Sequence, residues 1–203
     1  MNEKITMFKP SINYIFNYLK NLPSIWFNSN RDARCTSSGQ YLKGFKEIVI
    51  TGFGNCQFNA VSYALTGNET FSMDLRAIAF LTVTEKVQLF QTLENRHWLE
   101  SETVSGLLKI CCTPGEYGNM DTLFALSMTL ERCFIIVQHQ NKRKQFFKIQ
   151  PPSFDSTTFP IVLHLSNPGR NDAHYNVLLP EDPNSVYEFP EIEVYNISTL
   201  MGE

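Results

Sequence analysis

No stretch of this sequence reaches eighteen consecutive apolar residues, so it supplies no transmembrane helix. It also lacks an excess of basic charge. Seventeen Lys and Arg face 20 Asp and Glu, a formal charge of −3, so the positive footprint of a nucleic-acid binder is absent. Neither nucleic acid nor membrane is therefore expected as a partner. Paired CxxC or HxxxH spacings are missing too, which removes the usual zinc patterns. No metal and no other cofactor is expected. The five cysteines (Cys35, Cys56, Cys111, Cys112 and Cys133) are odd in number and irregularly spaced. That argues against a disulfide framework and for a reducing compartment, so a cytoplasmic location is expected. The start, "MNEKITMFKPSINYIFNYLK", has no apolar core followed by a small-residue cleavage site, so no signal peptide is expected. "IFNYLKNLPSIWF" is amphipathic and reads as a helix packed on the domain rather than a membrane anchor.

What is present is an ordinary globular balance, 43% hydrophobic, long enough for one sizeable core. Helical patterns come first. A helix is expected from Pro10 to about Asn21, and another from Cys56 to about Leu65, stopped by Gly67. "MDLRAIAFLTVTEKVQLFQTLENR" reads as one helix weakened by its threonines and valines, and "WLESETVSGLLKICC" as the next. "MDTLFALSMTLER" follows, with Leu123, Leu126 and Leu130 on one stripe. The strand candidates are "FKEIVI" before the first glycine loop and then "CFIIVQH", "KQFFKI", "IVLHLS" and "HYNVLLP". "NKRK" sits between two of them as a solvated hairpin loop. Helices followed by strands predict an α+β fold, a small and largely antiparallel sheet flanked by helices. The expected organisation is an N-terminal arm over residues 1–44, one domain over 45–180 and an irregular acidic tail over 181–203.

The stretch "GFGNCQFNAVSYALTG" places a lone thiol at the start of a helix. With Asn55 as N-cap, Cys56 is the first helical residue. Free N–H groups and the positive helix end then face its sulfur and favour a thiolate. The same groups, with the loop Gly52, Phe53, Gly54 and Asn55 curled behind them, can hold an oxyanion. Local chemistry alone leaves Cys56 open between a nucleophile and one more buried thiol.

A thiol nucleophile needs a base, and four histidines are available. His97, His139 and His164 read as structural or surface residues. His174 differs, because it follows the loop "SNPGRNDA" and opens a strand. Strand alternation puts Asn176 on the same side as His174, where an amide oxygen can accept the ring N–H. Asp172 is a rival orienter.

These residues resemble the OTU (ovarian tumour) family of cysteine proteases, most of which remove ubiquitin. The family pattern Asp-Gly-Asn-Cys is met by Phe53-Gly54-Asn55-Cys56, and its His-aromatic-Asn/Asp block by His174-Tyr175-Asn176. "YGNMDTLFALS", Tyr117 to Ser127, is similar to its central turn and helix. The resemblance covers roughly residues 45–180. It implies a papain-like OTU fold and a thiol-dependent deubiquitinase acting on ubiquitin or a ubiquitin-like modifier and on ubiquitinated substrates. It carries Cys56 over as nucleophile, His174 as base and Asn176 as orienter. Tyr175 then either walls the channel for the modifier's tail or simply packs in the sheet. The helices between Phe71 and Cys112 are where the family docks ubiquitin. Viral and bacterial-effector versions would act in a host cytosol. Phe53 departs from the family, which has an aspartate there that supports the loop or the catalytic centre. The resemblance therefore leaves a second reading open, an inactive ubiquitin-binding module. A papain-like hydrolase or transferase acting on something other than ubiquitin is a third.

Overall fold

The structure, a computed structural model, describes residues 17–19, 41–140, 143–151, 159–169, 172–182, 189 and 193–195. Strand β1 (Phe45–Ile48) leads into five helices: α1 (Cys56–Thr66), α2 (Ser72–Glu85), α3 (Val87–Asn95), α4 (Val104–Cys112) and α5 (Met120–Leu130). Five strands follow: β2 (Phe134–Gln140), β3 (Arg143–Ile149), β4 (Ile161–Ser166), β5 (His174–Pro180) and β6 (Glu193–Tyr195). They form one sheet in the order β1-β5-β4-β2-β3-β6. The pairs β1–β5, β5–β4 and β2–β3 are antiparallel, and β2–β4 and β3–β6 are parallel. This is the expected α+β arrangement, with a larger and more mixed sheet.

Strand alternation divides the interior in two. Ile136, Leu163, Tyr175 and Val177 face the helices and join Cys56, Phe58, Ala60, Phe90 and Phe124 in the main core. Their neighbours Ile135, Val137, Val162 and Leu178 face the other way, into a smaller core with Leu42 and Phe45. Each large apolar side chain so buried contributes roughly 1.5–3 kcal/mol. Both faces of the central strands are therefore apolar, yet two polar residues, His164 and Asn176, are buried on the smaller side.

Local chemistry sets the helix ends. Gly67 stops α1 at φ 75°, with its N–H on the Tyr63 carbonyl. Asn119 opens α5 with a reciprocal capping box shared with Thr122. Four expectations are corrected. The long helix after Phe71 is two helices broken at Lys86, where the Thr82 and Thr84 hydroxyls have turned back onto the carbonyls of Ile78 and Phe80. The next helix begins at Val104 rather than Trp98, because Glu102 is left-handed at φ 62° and Thr103 caps it through Gly106 N–H. The tail is not wholly irregular: β6 pairs in parallel with β3, from Phe147↔Glu193 to Ile149↔Tyr195. In the hairpin, β2 and β3 stay paired to Gln140↔Arg143, so Arg143 and Lys144 belong to a strand. Asn141 and Lys142 lie outside the described residues. So does most of the arm, including Cys35 and all of the expected Pro10–Asn21 helix except residues 17–19. Those three are helical, and Leu19 is fully buried in the main core.

Candidate active site

Between β1 and α1 the chain turns sharply through Phe53 at φ 64° and Gly54 at φ 75°. A Cβ at Gly54 would stand 1.7 Å from the Gly115 carbonyl oxygen, so only glycine fits this crossing of two loops. The Arg76 guanidinium, 1% exposed on α2, ties them together. Its Nε donates to Asn55 Oδ1 at 3.0 Å, and its terminal nitrogens donate to the carbonyls of Gly54 (3.1 Å), Ile110 (2.6 Å) and Glu116. The ring of Phe58 lies beneath it at 4.2 Å. Asn59 Nδ2 holds the loop from the other side through the Thr51 carbonyl, at 3.1 Å.

Asn55 precedes α1 as expected, but its side chain does not cap the helix. Its Oδ1 is taken by Arg76 and by Gly115 N–H, at 3.2 Å. The first-turn N–H groups of α1 are thereby left to the Cys56 sulfur. Backbone N–H groups of Tyr175, Gln57 and Cys56 itself lower the thiol's pKa, as does the charge of Arg76. Burial is nonetheless the largest influence and leaves the thiol above its ordinary value. The helix end thus pulls the pKa down as expected, without bringing it below the ordinary value. Cys56 is 1% exposed, and desolvation outweighs the helix end.

His174 stands at the first position of β5, over Gly52. A Cβ built on Gly52 would lie 3.8 Å from His174 Cε1 and 3.9 Å from Nδ1. The ring's Nε2 is 2.9 Å from the Ile50 carbonyl, which can only accept, so Nε2 carries the proton and Nδ1 is the basic nitrogen. The sulfur meets the backbone of Tyr175, the next residue along. Among the described residues, no hydrogen bond joins the Cys56 sulfur to the His174 ring.

One further expectation is corrected, at Asn176, and the alternative left open at Tyr175 is decided for packing. Asn176 lies on the same face as His174 but does not bond its ring. Its Oδ1 accepts from Ile50 N–H at 3.0 Å, and its Nδ2 donates to Glu47 Oε1 at 2.8 Å. The Ile50 carbonyl has the orienting contact that Asn176 was expected to make. Tyr175 is 5% exposed and packs in the main core, with a side-chain hydrogen bond to Gln57. Its side chain walls no open channel. The rival Asp172 accepts from Asn167 Nδ2 at 3.0 Å. Phe53, by contrast, is 91% exposed.

Sequence reasoning missed Arg76 and Glu47. Arg76 had one signal, a lone cation inside the apolar stretch "LRAIAF". Glu47 had another, its place on the same strand face as the core residue Phe45.

Among the described residues no helix is long and apolar enough to cross a membrane, and no cluster of three or more His, Cys, Asp or Glu could hold a metal ion. No family model and no curated protein matches the sequence. Solved structures do match. The viral OTU domain protease from Dera Ghazi Khan virus superposes with a TM-score of 0.52 at 16% identity, over 74% of this chain and 88% of that one. The viral OTU domain protease from Qalyub virus gives 0.51 at 14%, over 67% and 84%. The OTU domain of OTUD1 gives 0.50 at 18%, over 66% and 84%. The chain therefore has the fold of OTU domains.

Proposed function

We propose that this protein is a cysteine-type deubiquitinase, hydrolysing peptide or isopeptide bonds at the C-terminus of ubiquitin or a ubiquitin-like modifier. The observation that supports the reading is that the Cys56 sulfur takes backbone N–H groups of Cys56, Gln57 and Tyr175, and that the residue before Tyr175 is His174, whose Nδ1 is left basic by the bond from Nε2 to Ile50. The similarity to two viral OTU domain proteases supports the same reaction class. The modifier is named by the sequence resemblance.

In the proposed reaction His174 Nδ1 takes the thiol proton as the sulfur attacks the carbonyl carbon of the modifier's last residue. Burial raises the thiol pKa, so the proton has to be drawn off as the sulfur attacks. A C–S bond forms, and the negative oxygen is held by first-turn N–H groups of α1. The C–N bond breaks, and the leaving lysine amine takes the proton from His174. Water then attacks the thioester carbon as His174 accepts its proton; the C–S bond breaks, the modifier leaves with a free carboxylate, and His174 returns the proton to the sulfur. Arg76 keeps the loop and its N–H groups in place. It also adds positive charge near the sulfur.

One observation favours the second reading, a ubiquitin-binding module without activity. Phe53 stands where the family has an acid, and its ring is almost wholly exposed. Ubiquitin carrying an electrophilic C-terminal group separates the two. The enzyme forms a covalent adduct that Cys56→Ala abolishes. A chain that binds ubiquitin but forms no adduct is a module.

A further inference from the structure

The buried polar groups on the smaller-core side of the sheet form a line that ends at His174. Glu47, His164 and Asn176 are 4%, 3% and 8% exposed. Glu47 Oε1 lies 2.6 Å from His164 Nδ1 and accepts from Asn176 Nδ2 at 2.8 Å. Asn176 Oδ1 accepts from Ile50 N–H at 3.0 Å, and the Ile50 carbonyl stands 2.9 Å from His174 Nε2. The last three contacts join residues 129, 126 and 124 positions apart, so only the finished tertiary fold creates them.

We propose that Glu47 is a positioning residue for His174, acting through the Asn176 amide and the Ile50 backbone; this rests on the reading of His174 as the base. The reason is donor–acceptor matching. A carboxylate accepts and cannot donate, whereas an amide has one end of each kind. With Glu47 opposite, Asn176 must turn its NH2 toward the carboxylate and its oxygen toward Ile50 N–H. Without that acceptor the amide is free to flip, which sets NH2 against N–H. Ile50 would then lose the bond that fixes it, and its carbonyl would no longer lie in line with His174 Nε2. Tyr41 closes the line from outside, stacked on His164 with ring centroids 3.8 Å apart, and His139 meets both rings edgewise or tilted. The Tyr41 phenol is raised first by burial and then by the charge of Glu47. Burying an acid is expensive even when it is hydrogen-bonded, and such departures from core rules concentrate at functional sites. The missing acid at Phe53 thus has a counterpart elsewhere in the fold, one that orients the base from behind the sheet.

The test reads the His174 tautomer by two-bond proton–nitrogen correlation in the labelled chain, alongside kcat and KM on a ubiquitin substrate. The unsubstituted chain should show Nε2–H at His174 and slowly exchanging Asn176 side-chain amide protons. Glu47→Ala should mix the tautomers and lower kcat by roughly tenfold or more, with KM within about twofold. Glu47→Gln retains an acceptor oxygen and should recover the tautomer and part of the lost kcat. A folded Glu47→Ala variant with unchanged tautomer and kcat overturns the proposal. Should that variant fail to fold, the unsubstituted chain still decides, because an Nδ1–H tautomer or freely exchanging Asn176 amide protons overturns the proposal alone. The tautomer is read without ubiquitin, so a chain inert toward ubiquitin would refute the proposed activity and leave this result independent.

Discussion

Arg76 carries its charge into the interior and spends its described hydrogen bonds on oxygens of the two loops at Cys56 and of the last turn of α4. Lysine has the charge but not the fork, so it can reach only some of those oxygens. Arg76→Lys should destabilise the chain by on the order of 2–4 kcal/mol in urea unfolding, because buried acceptors lose their donors. Arg76 also lowers the Cys56 pKa, so Arg76→Met should push the thiol higher still. Iodoacetamide alkylation of Cys56 at pH 8 should then slow relative to the parent. An equal or faster rate in a folded variant would contradict the electrostatic role. Phe53 makes the opposite case. Its left-handed backbone at φ 64° is strained by about 1 kcal/mol, and its exposed ring returns no packing. Phe53→Gly should therefore leave stability unchanged or raise it by up to about 1 kcal/mol, while weakening binding if the ring touches the substrate. Of these residues, Cys56 and His174 stand out in the sequence as candidates, because their neighbours carry the signal. Arg76 does not, since three of its four acceptors are backbone carbonyls, which leave no trace in side-chain identity. The true partners of Asn176 were hidden by distance along the chain.

At the level of elements, the site is a meeting of one loop, one helix start and one strand start. Gly54 and Gly118 make that meeting possible. A Cβ at Gly118 would stand 2.0 Å from Gln57 Oε1, on the residue next to Cys56. Gly54→Ala should be the harsher change, since backbone blocks it at 1.7 Å and φ is 75° there. It should cost about 2 kcal/mol or more and separate the loops, with activity lost before the fold is. Near-normal turnover in Gly54→Ala would show that the crossing is not needed. The α1 helix and strands β2, β4 and β5 were readable from capping chemistry and apolar runs. The break at Lys86 was not, because an apolar stripe continues across it. Strand β6 was missed because its pairing with β3 is nonlocal and only three residues long.

Across the whole molecule, buried thiols make stability depend on pH in a definite direction. Burial pushes Cys111 from an ordinary 9.0 to about 12 and Cys133 to about 11. The folded chain therefore holds these protons more tightly than the unfolded chain. Their contribution is complete below pH 9 and is lost as pH rises through 11 and 12. The loss is bounded by about 1.4 kcal/mol per pH unit per thiol. Cys111→Ala should flatten the fall in urea stability between pH 9 and 11 under reducing conditions, and an unchanged slope would refute the assignment. Leu19 from the N-terminal arm packs in the main core and β6 from the tail pairs with β3, contacts that composition does not record.

The central claim is that Cys56 and His174 work as a pair on a ubiquitin-type C-terminus. Turnover of linkage-defined ubiquitin dimers tests it most directly. The parent chain should release monomers, and Cys56→Ala and His174→Ala should each lower kcat by roughly a thousandfold or more while still binding the dimer. Parent-like cleavage by a folded His174→Ala variant would contradict the account.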